Sequence, residues 1–326
     1  MIQVYGKIRG DFIGGAHVRQ SARGCWRKAH LAKQASRQLK QTSGRCAGCI
    51  YKSRFSATIT GHTMKNIVIT GSTRGIGYGL AHEFLARGCG VTINGRSPNS
   101  VTQALTSLSQ IHGNERLHGC AANVTHEEEL QTVWDTAVAR FGSVDIWINN
   151  AGVGHPMQMV WELPQAAIDQ VIDIDFKGLV YGSRVAIRNM LQQGHGHLYN
   201  MEGFGSNGRI RAGISVYGST KAAVRFLSRS LTQETGDTAV KVSTLSPGIV
   251  ITEFITGQYK DDPQGLEDAK RIFNILGDRV ETVTPWLVDK VLSNDKSGAR
   301  FEWLTSRKIT WRFLTARFNK RDLFTE

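Results

Sequence analysis

Asn66-Ile67-Val68-Ile69-Thr70-Gly71-Ser72-Thr73-Arg74-Gly75-Ile76-Gly77 is a short apolar run that breaks into a glycine-rich turn, and a helical pattern through Leu80, Phe84 and Leu85 follows it. Apolar residues bounded by turn formers predict a buried strand, and apolar residues three and four apart predict a helix. Strand, glycine turn and helix in this order suit a pyrophosphate. The backbone must turn sharply and come close to the ligand, while the helix N-terminus presents open N–H groups and a partial positive charge. Gly71, Ser72, Thr73, Arg74, Gly75, Ile76 and Gly77 are therefore the candidate phosphate-binding residues. Taken alone, such a loop serves turn geometry as readily as a ligand.

Further along, the second strand ends Val91-Thr92-Ile93-Asn94-Gly95-Arg96-Ser97. Sites that prefer NAD place an acid here to hold the ribose 2′-hydroxyl. In this chain the position is Gly95, followed by Arg96, and Arg74 sits inside the glycine turn. Two guanidinium groups converging on a 2′-phosphate favour NADPH, because their planar forks of donors match phosphate oxygens. Two solvated surface arginines are the plainer account.

The chain has 326 residues, 40% of them hydrophobic, which suits one large α/β domain or two small ones. No stretch approaches the length of apolar sequence that crosses a bilayer as a helix. The net charge of +13 is unevenly placed: residues 1–63 carry 12 Lys and Arg against the single acid Asp11, and the rest of the chain is close to balance at +2. A balanced domain has no electrostatic footprint for a phosphate backbone, so nucleic acid is not an expected partner. The leader is rich in Arg, Lys, Ser, Gln and Gly and has no apolar periodicity, the composition of an organellar transit peptide. Met64 lies two residues before the first strand, where a compact bacterial enzyme would start, so upstream sequence translated in error is an equal account and a disordered basic arm a third. Plastid and bacterial cytoplasm are the corresponding locations. Five cysteines, an odd and sparse set, fit a reducing compartment. Cys46 and Cys49 have CxxC spacing, but no second pair follows and His62 alone cannot complete a site, so no metal is expected.

Four motifs then stand in order: Thr70 to Gly77, Asn149-Asn150-Ala151-Gly152, Tyr217-Gly218-Ser219-Thr220-Lys221 and Pro247-Gly248. In pattern and spacing the chain resembles the short-chain dehydrogenase/reductase family. The resemblance implies a Rossmann-like, doubly wound, parallel seven-stranded sheet with helices on both faces. Short apolar runs near 66–70, 90–94, 116–121, 144–149, 196–201, 240–246 and 300–304 agree with it. It further implies that Asn123 and Val124 line the adenine pocket, that Asn150, Ala151 and Gly152 support the cofactor, and that the stretch from Pro247 through Gly248 and Val250 to Thr252 embraces the nicotinamide. Tyr217 and Lys221, four apart, share a helix face. A phenol is a poor acid or base at neutral pH, and a neighbouring ammonium stabilises its phenolate. Lys221 would do this while holding the nicotinamide ribose, and Tyr217 would protonate the substrate oxygen as hydride reaches the carbonyl carbon.

The pattern breaks in two places. The family's catalytic serine normally stands thirteen residues before the tyrosine, which is Phe204; aligning the strand instead gives Gly203, and neither has a hydroxyl. Ser206, eleven before Tyr217 in a glycine-rich loop, is the substitute candidate, with a turn serine bonded to its own backbone as the bland alternative. Asp175 stands where the family has an asparagine in its proton relay, and its charge is expected to raise the pKa of Lys221. Glu202 is a third acid nearby. The displaced serine in an acid-Gly-x-Gly-Ser loop, Asp145 to Gly152, Leu245 to Gly248, Arg271 to Leu276 and the tail Trp311 to Thr315 resemble the chlorophyll b reductase branch. That branch reduces the 7-formyl group of a tetrapyrrole. A general reductase of small ketones, aldehydes or acyl thioesters, and an NADPH-binding scaffold without turnover, are the alternatives. The resemblance also implies a homodimer or tetramer through long helices near 166–192 and 216–236. Residues 307–321 mix Arg and Lys with Trp311, Leu314 and Phe318 on one helical face, which suits a helix capping the core, a subunit contact or peripheral contact with a membrane.

Overall fold

The computed structural model describes residues 64–324. The basic leader and its Cys46–Cys49 pair lie outside the described residues. Seven strands form one all-parallel sheet: β1 (Asn66–Ile69), β2 (Gly90–Gly95), β3 (Leu117–Ala121), β4 (Ile146–Asn149), β5 (Gly196–Met201), β6 (Val240–Ser246) and, after a two-stranded accessory pair, β9 (Arg300–Glu302). Their spatial order is β3-β2-β1-β4-β5-β6-β9, so the winding reverses between β1 and β4. All seven fall on the apolar runs of the sequence. The accessory pair, β7 (Ile249–Val250) with β8 (Gly277–Asp278), was not legible, since two residues carry no periodicity.

Alternation along the strands sorts the helices into layers. Ile67, Ile69, Val91, Ile93, Ile146 and Ile148 face Leu80 and Phe84 of α1 (Gly75–Ala86), Leu108 of α2 (Pro98–His112) and Leu287 of α9 (Val280–Ser293). Their neighbours Val68, Trp147, Leu198 and Val242 face Val133 and Trp134 of α3 (Glu127–Phe141) and Val185 and Met190 of α5 (Gly178–Gln193). Both faces being covered, the central strands β1, β2 and β4 are buried along their whole length, as parallel strands under two helix layers are. Between α4 (Gln165–Ile172) and α5 the helix widens into a π-helical turn at Asp173–Lys177. Such turns shift the side chains that follow and recur at functional sites; this one carries Asp175. Helix α6 (Ser215–Glu234) brings Tyr217 and Lys221 to the same end of the sheet. Helices α7 (Glu253–Gly257) and α8 (Pro263–Leu276) follow β7, and α10 (Ser306–Thr315) follows β9. No described helix is long and apolar enough to cross a membrane.

Candidate active site

The carboxyl ends of β1 and β4, where the winding reverses, build the cofactor cradle. Gly71 (φ 61°) and Gly75 (φ 57°) adopt the left-handed backbone that the turn needs. A Cβ on Gly77 would overlap the carbonyl of Gly71, so helix α1 can lie this close to the strand only with glycine there. Arg74 at the N-cap of α1 makes no side-chain cap, and the first turn holds no acid. Its N–H groups therefore face outward without a competing carboxylate, as an anion site requires. Asn150 fixes the turn: its Nδ2 donates to the carbonyls of Thr70 (3.0 Å) and Gly71 (2.9 Å), and Thr70 Oγ1 accepts from the N–H of Asn150 and of Ala151. Thr252 closes the cradle from the other side, its methyl 3.7 Å from where a Cβ on Gly75 would stand. These residues fit a dinucleotide.

Gly95 packs against Thr73, whose methyl would lie 2.5 Å from any Cβ at that position. A larger residue at the end of β2 would have to displace the Thr73 side chain. Arg96 is exposed beside it, and Arg74 is exposed at the glycine turn. Its guanidinium pairs with Glu253 on α7 at 2.7 Å, with both side chains 78% exposed. At the end of β3, Asn123 Oδ1 accepts from the N–H of Thr125, and Val124 is buried against Gly178.

Tyr217, Lys221 and Asp175 come together at the ends of β4 and β5. Lys221 Nζ meets Asp175 Oδ2 at 3.0 Å, both side chains buried, and Asp175 Oδ1 accepts from the N–H of Val153 at 2.7 Å. Gly152 permits this approach, since a Cβ there would stand 3.3 Å from Asp175 Oδ2 and 3.4 Å from Lys221 Nζ. Burial pushes the Asp175 carboxyl up, against the pull of Lys221 and the Val153 N–H. Burial alone would depress Lys221, but the Asp175 charge, Tyr217 and the hydrogen bond to Asp175 together outweigh it, and the ammonium is held above its ordinary range. Tyr217 differs from the sequence expectation. Burial pushes its phenol up to about 12, with Lys221 opposing and Asp175 reinforcing the rise. The expected phenolate-stabilising ammonium is there and pulls the phenol down, but burial outweighs it, and Asp175 adds to the rise. Tyr217 is consequently held as a phenol, an acid at neutral pH.

The loop after β5 explains the missing serine. A Cβ on Gly203 would overlap the Tyr217 hydroxyl and come within 3.0 Å of Lys221 Cγ, so no serine fits there in this backbone. Phe204 is exposed instead. Ser206 is buried, but its hydroxyl donates to Glu202 Oε2 at 3.1 Å, which also accepts from Arg300 Nε of β9 at 2.8 Å. With its one proton on Glu202, Ser206 has none to donate to a substrate oxygen. Glu202 is thus a loop anchor and no part of the Lys221 pair.

Two neighbours of Tyr217 carried no sequence signal. His155 is buried, and its Nε2 accepts from the backbone N–H of Tyr217 at 3.3 Å, while its Nδ1 lies 2.7 Å from the Pro156 carbonyl, which makes Nδ1 the donor. The N-cap of α6, Ile214, provides no side-chain acceptor, so His155 supplies one from a distant loop. Phe254 of α7 lies 5.5 Å from Tyr217, ring to ring, and covers it. Asn149, inside the second motif, is core: it accepts from Trp147 Nε1 and donates to Ser183 and Asn200. Among the described residues no group of three or more His, Cys, Asp or Glu side chains could hold a metal ion.

The model of the short chain dehydrogenase family matches residues 65–263. Chlorophyll(ide) b reductase NOL of Arabidopsis thaliana is 35% identical over 256 residues, covering 77% of this chain and 70% of its own. "Probable chlorophyll(ide) b reductase NYC1" of Oryza sativa subsp. japonica is 33% identical over 80% of this chain, which spans about half (54%) of that protein's length. Among solved structures, the closed form of a serine dehydrogenase complexed with NADP+ is 27% identical with a TM-score of 0.65, covering 74% of this chain and 95% of its own. Levodione reductase, at 21% identity and a TM-score of 0.68, covers 75% of this chain and 97% of its own and shares the fold. Matched by the family model over more than half its length, and carrying the four motifs at one end of a seven-stranded parallel sheet, this chain belongs to the short chain dehydrogenase family of oxidoreductases.

Proposed function

We propose that the chain is an NADPH-dependent carbonyl reductase that acts on an aldehyde, with the 7-formyl group of chlorophyll(ide) b as the substrate. The observation that carries the reductive reading is Tyr217, a phenol beside an ammonium whose charge Asp175 balances. The glycine turn would hold the pyrophosphate, Arg96 the 2′-phosphate, and Lys221 the nicotinamide ribose. NADPH bound there supplies the hydride. Tyr217 lowers the barrier by giving its proton to the substrate oxygen as negative charge builds on it, and Lys221 then meets the phenolate left behind. The proton returns from solvent along Lys221 and Asp175. Phe254 shields the reacting oxygen from water. The tetrapyrrole rests on the likeness to the chlorophyll(ide) b reductases, and a plastid location on the chloroplastic names of those relatives. Assembly as a homo-oligomer through α4–α5 and α6 belongs to the same reading.

The test follows NADPH oxidation by the purified chain with chlorophyllide b, then with small aldehydes, ketones and an acyl thioester, using Tyr217→Phe as control. Pigment turnover that vanishes in the control supports the proposal. Turnover of small carbonyls alone leaves a general reductase. NADPH binding with no turnover, unchanged by Tyr217→Phe, assigns the chain to a cofactor-binding scaffold.

A further inference from the structure

Helix α10 and the turn after it, residues 306–321, hold six basic residues and no acid. These cations divide by direction. Arg312 and Arg321 turn inward to Asp278, at 2.8 and 3.0 Å, and to backbone carbonyls of Leu276 and Gly277. Lys308 lies over the Trp303 ring, 3.1 Å from its centroid. Burial above all, with Arg312 and Arg321 adding to it, pushes Lys308 down to about 8 against Asp278. Arg307, Arg317 and Lys320 are exposed.

The apolar residues take the outer side. Trp311 and Leu314 are 66% and 69% exposed and, three apart on α10, share a face, while Phe318, in the turn after the helix, is 87% exposed. An ordinary surface helix buries its apolar stripe and exposes its charges. Here three charges fasten the segment to the body while the apolar stripe faces water. Neither a core cap nor random exposure explains a contiguous stripe of this kind.

Area and charge choose the occupant. Two aromatics and a leucine at this exposure offer on the order of 500 Å², short of the ~800 Å² per partner of a stable protein interface. A two-fold contact through the stripe would also set the exposed cations of two copies against each other. A bilayer with anionic headgroups meets both features, since Trp, Leu and Phe sink to the headgroup boundary while Arg and Lys stay on the phosphates. We propose that α10 docks the protein on an anionic phospholipid surface, with Trp311, Leu314 and Phe318 entering the interface and Arg307, Arg317 and Lys320 meeting the phosphates. The inference does not depend on the substrate assigned above.

The test is flotation of the full chain with vesicles of phosphatidylcholine alone or mixed with phosphatidylglycerol, at low and high salt. Two variants are compared with wild type: Trp311→Ser/Leu314→Ser/Phe318→Ser and Arg317→Glu/Lys320→Glu. All share the basic leader, so its own attraction to anionic vesicles cancels. The expected result is binding to mixed vesicles, at least tenfold weaker in the apolar variant, and weaker and less salt-sensitive in the charge variant. Circular dichroism checks folding; should the apolar variant fail that check, the charge variant decides. Equal affinity of wild type and the folded variants overturns the proposal. A wild-type dimer that the apolar variant converts to monomer also overturns it, and gives the stripe to a second copy.

Discussion

Replacing Asp175 with asparagine tests the reading of Tyr217 as a neutral acid. With a phenol near 12, only about 10⁻⁵ of Tyr217 is phenolate at pH 7. Alcohol oxidation, which needs the phenolate as base, should then rise about tenfold per pH unit from neutrality to strongly alkaline pH, while reduction stays flat. Asp175 meets Lys221 at 3.0 Å. At an effective dielectric constant of ~20 their attraction is about 5.5 kcal/mol. If a quarter of it, about 1.4 kcal/mol, passes to the Tyr217 phenolate once the carboxylate is gone, the oxidation limb breaks about one pH unit earlier. The assays are kcat/KM for oxidation against pH and tyrosinate absorbance, each as a difference from Tyr217→Phe. Leaving Lys221 buried without its partner also costs about 3–5 kcal/mol, roughly 6–20 °C in Tm for a domain of this size, so measurements belong well below that temperature. The sign for stability follows from the raised phenol: the Tyr217 contribution is intact below pH 10 and is lost as pH rises towards 12. Identical breakpoints in wild type and Asp175→Asn, or wild-type tyrosinate forming at or below pH 10, would refute the argument.

Ser206→Ala should lower kcat by less than about tenfold in steady-state assays, because its hydroxyl donates to Glu202; a donor to the developing oxyanion would cost about 10²–10³. Gly203→Ala sets a methyl against the Tyr217 hydroxyl, so kcat should fall about a hundredfold with circular dichroism unchanged. Fluorescence titration of Arg96→Ala should show NADPH binding weakened about tenfold with NADH binding unaffected, and a smaller change for Arg74→Ala, whose guanidinium is already paired with Glu253. His155→Ala leaves the Tyr217 N–H without an acceptor at a cost of about 1–3 kcal/mol. Its Tm should drop, and His155→Gln should recover part of the loss.

The strands and the motif residues were legible because they answer to local rules. Ile67 to Ile69 read as buried strand by their apolar run, Gly71 and Gly75 as turn by the backbone they permit, and Tyr217 with Lys221 as a pair by helical spacing. Partners that meet across the fold left no such mark. His155 lies 62 residues from the Tyr217 amide it accepts from, Arg300 lies 98 from Glu202, and Asp278 gathers Arg312 and Arg321 from a tail more than thirty residues on. The sequence by itself determined the seven strands of the main sheet, the glycine turn that suits a dinucleotide, the absence of an acid at Gly95 and the presence of a phenol and an ammonium one helical turn apart. Asp175 beside Lys221 was expected only through the family resemblance, and only the tertiary structure decided that Gly203 excludes a serine, that Ser206 is bound to Glu202 and that the apolar stripe of α10 faces outward. Spacing fixes what lies within a turn or a strand, whereas burial, charge neutralisation and hydrogen-bond partnership depend on which distant segments share the same few ångströms.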